Sequence, residues 1–185
     1  MRGSVLGGRP LRIARPACGL LAAALLLPAT AHAQDRDTEA GRRAIVERSV
    51  AAIKADHPEV GTITAAALME SLPTGDFVLV DVRTDKERAV STLPGAISAK
   101  EFEKRLEEIV AEGRTVVAYC TIGARSSSYA GRMGKRGIKV LNLEGSVLAW
   151  THAGGEFVSD SGPTRRVHVY GRSWNLAADG YETVW

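Results

Sequence analysis

The chain has 185 residues, with 24 Lys plus Arg against 21 Asp plus Glu and a formal net charge of +3. Four of the basic residues, Arg2, Arg9, Arg12 and Arg15, lie in residues 1–33, which hold no acidic residue. Residues 34–185 then carry 20 basic and 21 acidic side chains, a net charge of −1. The positive balance is therefore no argument for a nucleic-acid partner, which would need a basic stripe on the domain itself.

The basic leader is followed by an apolar run over residues 19–28 and by Ala31-His32-Ala33, a small-x-small cleavage signal before Gln34. This order is that of a secretory signal peptide over residues 1–33. The apolar run is well short of the roughly 20 residues that span a bilayer, so no stable membrane insertion is expected. The expected location is periplasmic or secreted. Residues 34–185 suffice for one ordinary domain. Cys18 would be lost with the leader, which leaves Cys120 as the single cysteine. In an oxidising compartment it has no partner within the chain, so it is either inert or free and reactive.

Residues 37–55 read as an amphipathic helix with Ala44, Val46, Val50 and Ile53 on one side. We take residues 34–61 as a helical extension laid on the domain. Thr62-Ile63 is a short strand, and Thr64 caps a helix over residues 65–72. After a turn at residues 73–76, residues 77–82 form the short apolar run of a buried parallel strand. Asp81 sits at its end and Arg83 just beyond. A turn at residues 93–97 leads to another short strand. Residues 100–112 form a helix with Phe102, Leu106, Ile109 and Val110 on one face, stopped by Gly113. A strand at residues 115–119 runs into Cys120, and a helix follows over residues 126–135. A strand at residues 139–143 and a helix at residues 146–152 complete the series.

Strands alternating with helices predict an α/β fold with a parallel sheet flanked by helices on both faces. Residues 159–163 read as a linker. The tail, residues 159–185, holds a strand-like segment at residues 167–170 and Trp174, Tyr181 and Trp185, which are expected to cover the domain.

Cys120 thus sits at the end of a buried strand and before a helix. Free N–H groups and partial positive charge at such a place bind anions and favour a thiolate, the reactive form of cysteine. His57, His152 and His168 are scattered, with no companion at metal-ligand spacing. No metal and no cofactor are expected.

The combination resembles the rhodanese superfamily of sulfurtransferases. The matching residues are Asp81-Val82-Arg83 with Glu87, then Leu93-Pro94-Gly95-Ala96-Ile97. The loop from Cys120 to Arg125 follows, and Leu143-Glu144-Gly145 with Ala149-Trp150 closes the match. The resemblance covers residues 62–158. It implies a rhodanese-like parallel sheet and a persulfide-forming Cys120 as catalytic nucleophile. It also implies backbone N–H groups of Thr121, Ile122, Gly123, Ala124, Arg125 and Ser126 holding the anionic sulfur.

The implied reaction moves a sulfane sulfur from thiosulfate or a persulfide donor to a thiophilic acceptor by double displacement. The implied partners are a small sulfur-containing anion or thiol, with room for a protein acceptor. Arg125 is expected to face the substrate anion, or else to pair with Asp81 or Glu144. Arg83 is expected to bind the donor, or else to pair with Glu87. Asp81 is expected to orient its neighbours as a hydrogen-bond acceptor.

Two departures stand out. Thr121 replaces an Arg common after the cysteine, and Ser91-Thr92 and Ser146 replace other usual residues. Four residues separate Cys120 from Arg125, whereas related phosphatases and arsenate reductases carry five. The alternatives to a transferase are a non-catalytic module binding a persulfide or a protein, and, with less support, a phosphatase or arsenate reductase.

The leader makes a direct prediction. N-terminal sequencing of the exported protein should read from Gln34, and retention of residues 1–33 would contradict it.

Overall fold

The computed structural model describes residues 1, 36–75 and 77–185. The expected leader, Cys18 and the cleavage point before Gln34 lie outside the described residues. Five strands form one parallel sheet: β1 (Thr62–Ile63), β2 (Phe77–Asp81), β3 (Ile97–Ser98), β4 (Thr115–Tyr119) and β5 (Val140–Leu143), in the order β1-β5-β4-β2-β3. β2 and β4 are central and pair over their whole lengths, from Phe77 with Thr115 to Asp81 with Tyr119.

Alternation along these two strands builds two cores, one on each face. Leu79, Val117 and Tyr119 enter one apolar cluster, and Val78, Val80, Val116 and Ala118 enter the other. Helices α1 (Glu39–Asp56), α2 (Ala65–Ser71) and α7 (Ser146–His152) cover the first through Val46, Leu68, Val147 and Leu148. Helices α4 (Ala99–Lys104), α5 (Leu106–Ala111) and α6 (Ala124–Gly134) cover the second through Phe102, Ile109, Tyr129 and Met133. The apolar runs of β2 and β4 follow from this burial on both sides.

Several elements differ from expectation. The helix expected over residues 100–112 is two short helices, because Arg105 (φ −104°, ψ 16°) leaves helical geometry between them. Val110 consequently stands 52% exposed rather than on the core face. A helix not foreseen in the sequence, α3 (Asp85–Val90), starts at a reciprocal cap. The Thr84 hydroxyl accepts from the Glu87 N–H, and the Glu87 side chain accepts from the Thr84 N–H.

The stretch expected to be a linker is a hairpin. β6 (Phe157–Ser159) pairs antiparallel with β7 (Gly162–Thr164), and Val158 bridges to Thr92 of the domain. A parallel pair then follows, β8 (Arg166–His168) with β9 (Glu182–Val184).

The tail joins the first core through aliphatic side chains. Val167, Val169 and Leu176 are fully buried there, whereas Trp174 and Tyr181 lie partly buried against it and Trp185 is 48% exposed. Trp174 and Tyr181 cover the core as expected, and Val167, Val169 and Leu176 add aliphatic burial that was not foreseen. The two extensions also hold each other. Arg42 of α1 pairs with Asp179, its Nε donates to the Ala177 carbonyl at 2.9 Å, and Arg43 donates to the His152 carbonyl at 2.9 Å.

Full burial of a side chain such as Val or Leu is worth roughly 1.5–3 kcal/mol. Each kcal/mol moves Tm by about 2–4 °C in a chain of this size. Deleting residues 162–185 should therefore lower Tm by more than about 10 °C in calorimetry. An unchanged Tm would show that the tail does not belong to the folded core.

Candidate active site

β4 delivers Cys120 into a buried turn, where it is 1% exposed. Its N–H donates to the Ser146 hydroxyl at 3.0 Å. Its carbonyl accepts from the Val147 N–H at 3.3 Å, and the Thr121 carbonyl accepts from the Leu148 N–H at 3.2 Å. The N-terminus of α7 therefore satisfies the loop carbonyls, while the loop's own N–H groups stay available to the sulfur. One of them is used: the Gly123 N–H donates to Cys120 Sγ at 3.2 Å.

Gly123 can do this because its φ is +114°, a region that favours glycine. A Cβ there would also stand 3.3 Å from Asn142 Nδ2 and 3.8 Å from Ile53 Cδ1. Helix α6 begins directly after it, at Ala124.

Ser126 closes the other side. Its hydroxyl lies 3.5 Å from Cys120 Sγ, 3.2 Å from the Gly123 carbonyl and 2.6 Å from Asn142 Oδ1. One hydroxyl proton serves three acceptors, so an ionised sulfur competes for it with a neutral amide and a carbonyl. Burial pushes the Cys120 thiol up, but three influences outweigh it. These are the Ser126 hydroxyl and N–H, the Gly123 N–H, and the nearby Arg125 charge, which together leave the thiol below its ordinary value.

Arg125 forms a bidentate pair with Glu87: Nη1 to Oε2 at 2.8 Å and Nη2 to Oε1 at 2.6 Å. Its Nη2 also donates to the Thr121 hydroxyl at 3.0 Å. The Tyr170 ring of the tail lies against the guanidinium, 5.0 Å from centroid to Cζ. Burial works against the Glu87 charge, but the Arg125 hydrogen bonds and the Thr84 N–H and hydroxyl overcome this and hold its carboxyl down to about 2. The Glu87 pairing raises Arg125. Neither Asp81 nor Glu144, the acids expected opposite Arg125, occupies that place. Glu144 binds Lys54 and the Thr62 hydroxyl, each at 2.6 Å.

Arg83 is a correction on two counts. Its partner is Asp81 rather than Glu87, with Nε to Oδ1 at 3.0 Å and Nη2 to Oδ2 at 2.7 Å, and Nη2 also donates to the Ser91 carbonyl at 2.6 Å. With a side chain 0% exposed, it belongs to the scaffold and not to the donor-binding residues. Asp81 also accepts from the Tyr119 hydroxyl at 2.8 Å, and that hydroxyl accepts from the Leu93 N–H at 3.1 Å. The carboxylate at the end of β2 thus fixes the residue just before Cys120.

The structure brings Cys120, Thr121, Gly123, Arg125 and Ser126 together. The Ile122 side chain is buried in the first core cluster; the expectation for this residue concerns its backbone N–H. Three contributors escaped the sequence reading as site residues: Asn142, Ser146 and Tyr170. Buried polar residues at a strand end and a helix start were the available signal for the first two. His168 is a buried packing residue, and its Nδ1 accepts from the Tyr170 N–H at 3.0 Å. Among the described residues no His, Cys, Asp or Glu cluster has the arrangement of a metal site.

With this geometry in hand, similarity to known proteins is decisive. A family profile described as "Rhodanese-like domain" matches residues 64–153. A sulfurtransferase of Allochromatium vinosum is 36% identical over 107 residues, which cover 56% of this chain and 99% of that protein. The chain belongs to the rhodanese-like family.

A second relative of the rhodanese-like chain, YtwF of Bacillus subtilis, is 30% identical over 95 residues, covering 50% of this chain and 91% of that one. Among solved structures, thiosulfate sulfurtransferase from Pseudomonas aeruginosa superposes with a TM-score of 0.51 at 23% identity. That match covers 58% of this chain and 21% of the other, and it speaks to the fold alone.

The Glu87–Arg125 pair sets a pH prediction. A carboxylate depressed from 4.5 to about 2 contributes stability that is full above 4.5 and is lost as pH falls toward 2. Removing one partner of a buried pair costs about 3–5 kcal/mol, less where a partner reaches solvent as Arg125 does. Glu87→Gln should therefore cost roughly 2–4 kcal/mol near neutral pH in urea unfolding. The gap between wild type and variant should close across that acid window. A gap that is constant with pH would show that packing, not charge, is lost.

Proposed function

We propose that the protein is a sulfurtransferase that carries a sulfane sulfur as a persulfide on Cys120, exported and acting outside the cytoplasm. The observation that carries this reading is the cradle itself. A buried sulfur lies 3.2 Å from one loop N–H and 3.5 Å from a hydroxyl, with its thiol lowered and Arg125 five positions beyond it.

In the first half-reaction the Cys120 thiolate attacks the outer sulfur of the donor. The donor's S–S bond breaks, and its electron pair leaves on sulfite, from thiosulfate, or on a thiolate, from a persulfide. Cys120 is left as a persulfide, whose negative terminal sulfur takes the loop N–H groups as donors. In the second half-reaction an acceptor thiolate attacks that terminal sulfur. The Cys120 thiolate leaves, and the acceptor departs as a persulfide. No proton or external oxidant is needed in either half.

The short Cys120-to-Arg125 loop and the bidentate capture of Arg125 by Glu87 support sulfur over phosphoryl chemistry. A phosphoryl group would need that guanidinium for its own oxygens.

Intact mass after exposure to a sulfane donor should show the gain of one sulfur atom, reversed by a reducing thiol. Cys120→Ser should show neither the gain nor any turnover. Wild-type Cys120 should alkylate at neutral pH faster than an ordinary cysteine, whose pKa is about 8.5. Sulfur uptake by the Cys120→Ser protein, or efficient aryl phosphate hydrolysis without sulfur transfer, would defeat the proposal.

A further inference from the structure

Beside the cysteine loop lies a cleft of about 440 Å³ between α4 and α6. Val82 and Ala99 form its apolar wall, Arg125 stands at one end, and Arg132 and Glu103 line it further along. The cleft opens next to the chemistry. The Val82 N–H donates to the Tyr119 carbonyl at 3.1 Å, one residue before Cys120. The Arg125 charge already bears on the Cys120 sulfur.

The charges along this cleft are not equivalent. Arg125 is spent: Glu87 takes its edge, Thr121 one further N–H, and Tyr170 lies against it. Arg132 differs. Among the described residues it pairs with no carboxylate, and it meets only the Ser128 carbonyl at 3.3 Å and the Tyr129 ring at 5.6 Å. Glu103 likewise forms no ion pair among the described residues, with Arg132 or with any other cation. The cleft thus presents a guanidinium and a carboxylate, each without an ion-pair partner among the described residues, along an apolar floor. The Tyr129 hydroxyl beside them is raised by burial and by the Glu103 carboxylate that faces it. Arg132 lies seven residues after Arg125 on the same helix, about 10 Å along its axis.

We infer that this cleft holds the body of a small zwitterionic thiol of peptide size, with a carboxylate on Arg132 and an ammonium on Glu103. This rests on the transferase reading and names the class of thiol it serves. Such a thiol can put its sulfur at the Cys120 loop while its carboxylate lies about 10 Å away along α6 and its ammonium meets Glu103 on the facing α4. A bare dianion gains nothing from the distant pair, and the captured Arg125 offers it no free edge. As acceptor, the thiolate attacks the terminal sulfur of the Cys120 persulfide, the Cys120 thiolate leaves, and the thiol departs as its persulfide.

The test uses sulfur-loaded protein and follows unloading by intact mass, with glutathione as the zwitterionic peptide probe and 2-mercaptoethanol as the uncharged one. Glutathione should half-saturate at about tenfold lower concentration. Arg132→Gln and Glu103→Gln should each shrink that preference at least several-fold, and Arg132→Lys should keep part of it. Equal half-saturation of the two thiols by wild type, or a preference that survives both Gln variants, would overturn the inference and leave the transferase reading standing. Failure of any sulfane donor to load wild-type Cys120 would overturn the transferase reading, and the cleft assignment with it.

Discussion

The site depends on one constraint: a sulfur must be kept out of water and still remain ionisable. Burial alone raises a thiol, because the charged form loses its hydration. The Cys120 turn replaces that hydration with oriented donors. Gly123 contributes an N–H, Ser126 a hydroxyl and an N–H, and Arg125 a charge that does not touch solvent on every side. These donors are useful only if the turn cannot relax onto itself. Its carbonyls would otherwise compete for the same N–H groups. The start of α7 removes that competition by binding the carbonyls of Cys120 and Thr121 through Val147 and Leu148. Ser146, at φ 48°, spends its hydroxyl on the Cys120 N–H and the Leu143 carbonyl.

Charge around the loop is arranged so that two arginines are held by two acids. Asp81 takes Arg83 in full burial, and Glu87 takes Arg125 at the edge of solvent. An arginine left loose beside a thiolate would fold over it. The bidentate geometry instead fixes the guanidinium plane, so its charge acts on the sulfur from a set distance. Glu87 achieves this from α3, whose own cap uses the same carboxylate to receive the Thr84 N–H. One side chain therefore starts a helix and positions a site residue. Its substitution would be felt in both.

How much of this was legible in the residues follows from the range of each interaction. The parallel sheet and the place of Cys120 were readable, because apolar runs, a strand end and a helix start are local features. Gly123 was readable for the same reason. The pairing of the arginines was not. Glu87 and Arg125 are 38 positions apart, and Asp81 and Glu144 were equally acceptable acids until the fold brought α3 over the loop. The tail was misread in one respect and read incompletely in another. Its Gly and Ser residues suggested a linker, yet they form the tight turn of the β6–β7 hairpin. Its aromatics drew attention, yet Val167, Val169 and Leu176 enter the core. Three-residue strands offer too few positions for a period-2 pattern to show.

The segments outside residues 64–153 are not appendages to a complete domain. One face of the sheet is closed by α4, α5 and α6, all within that range. The other face is closed by α2 and α7 together with Val46 of α1, with Phe157 of β6 and with Val167, Val169 and Leu176 of the tail. Without the last five, the cluster around Tyr119 would meet water on the side that carries the Cys120 turn. The same segments reach the turn itself, since Ile53 approaches Gly123 and Tyr170 lies against Arg125. Tyr170 does so at φ 70°, a backbone region unusual for an aromatic residue, with its N–H held by His168 Nδ1. The burial that stabilises the fold on this face therefore also sets the walls of the cysteine site. Changes in either extension should move stability and sulfur reactivity together, whereas changes on the α4–α6 face act on what the site can bind.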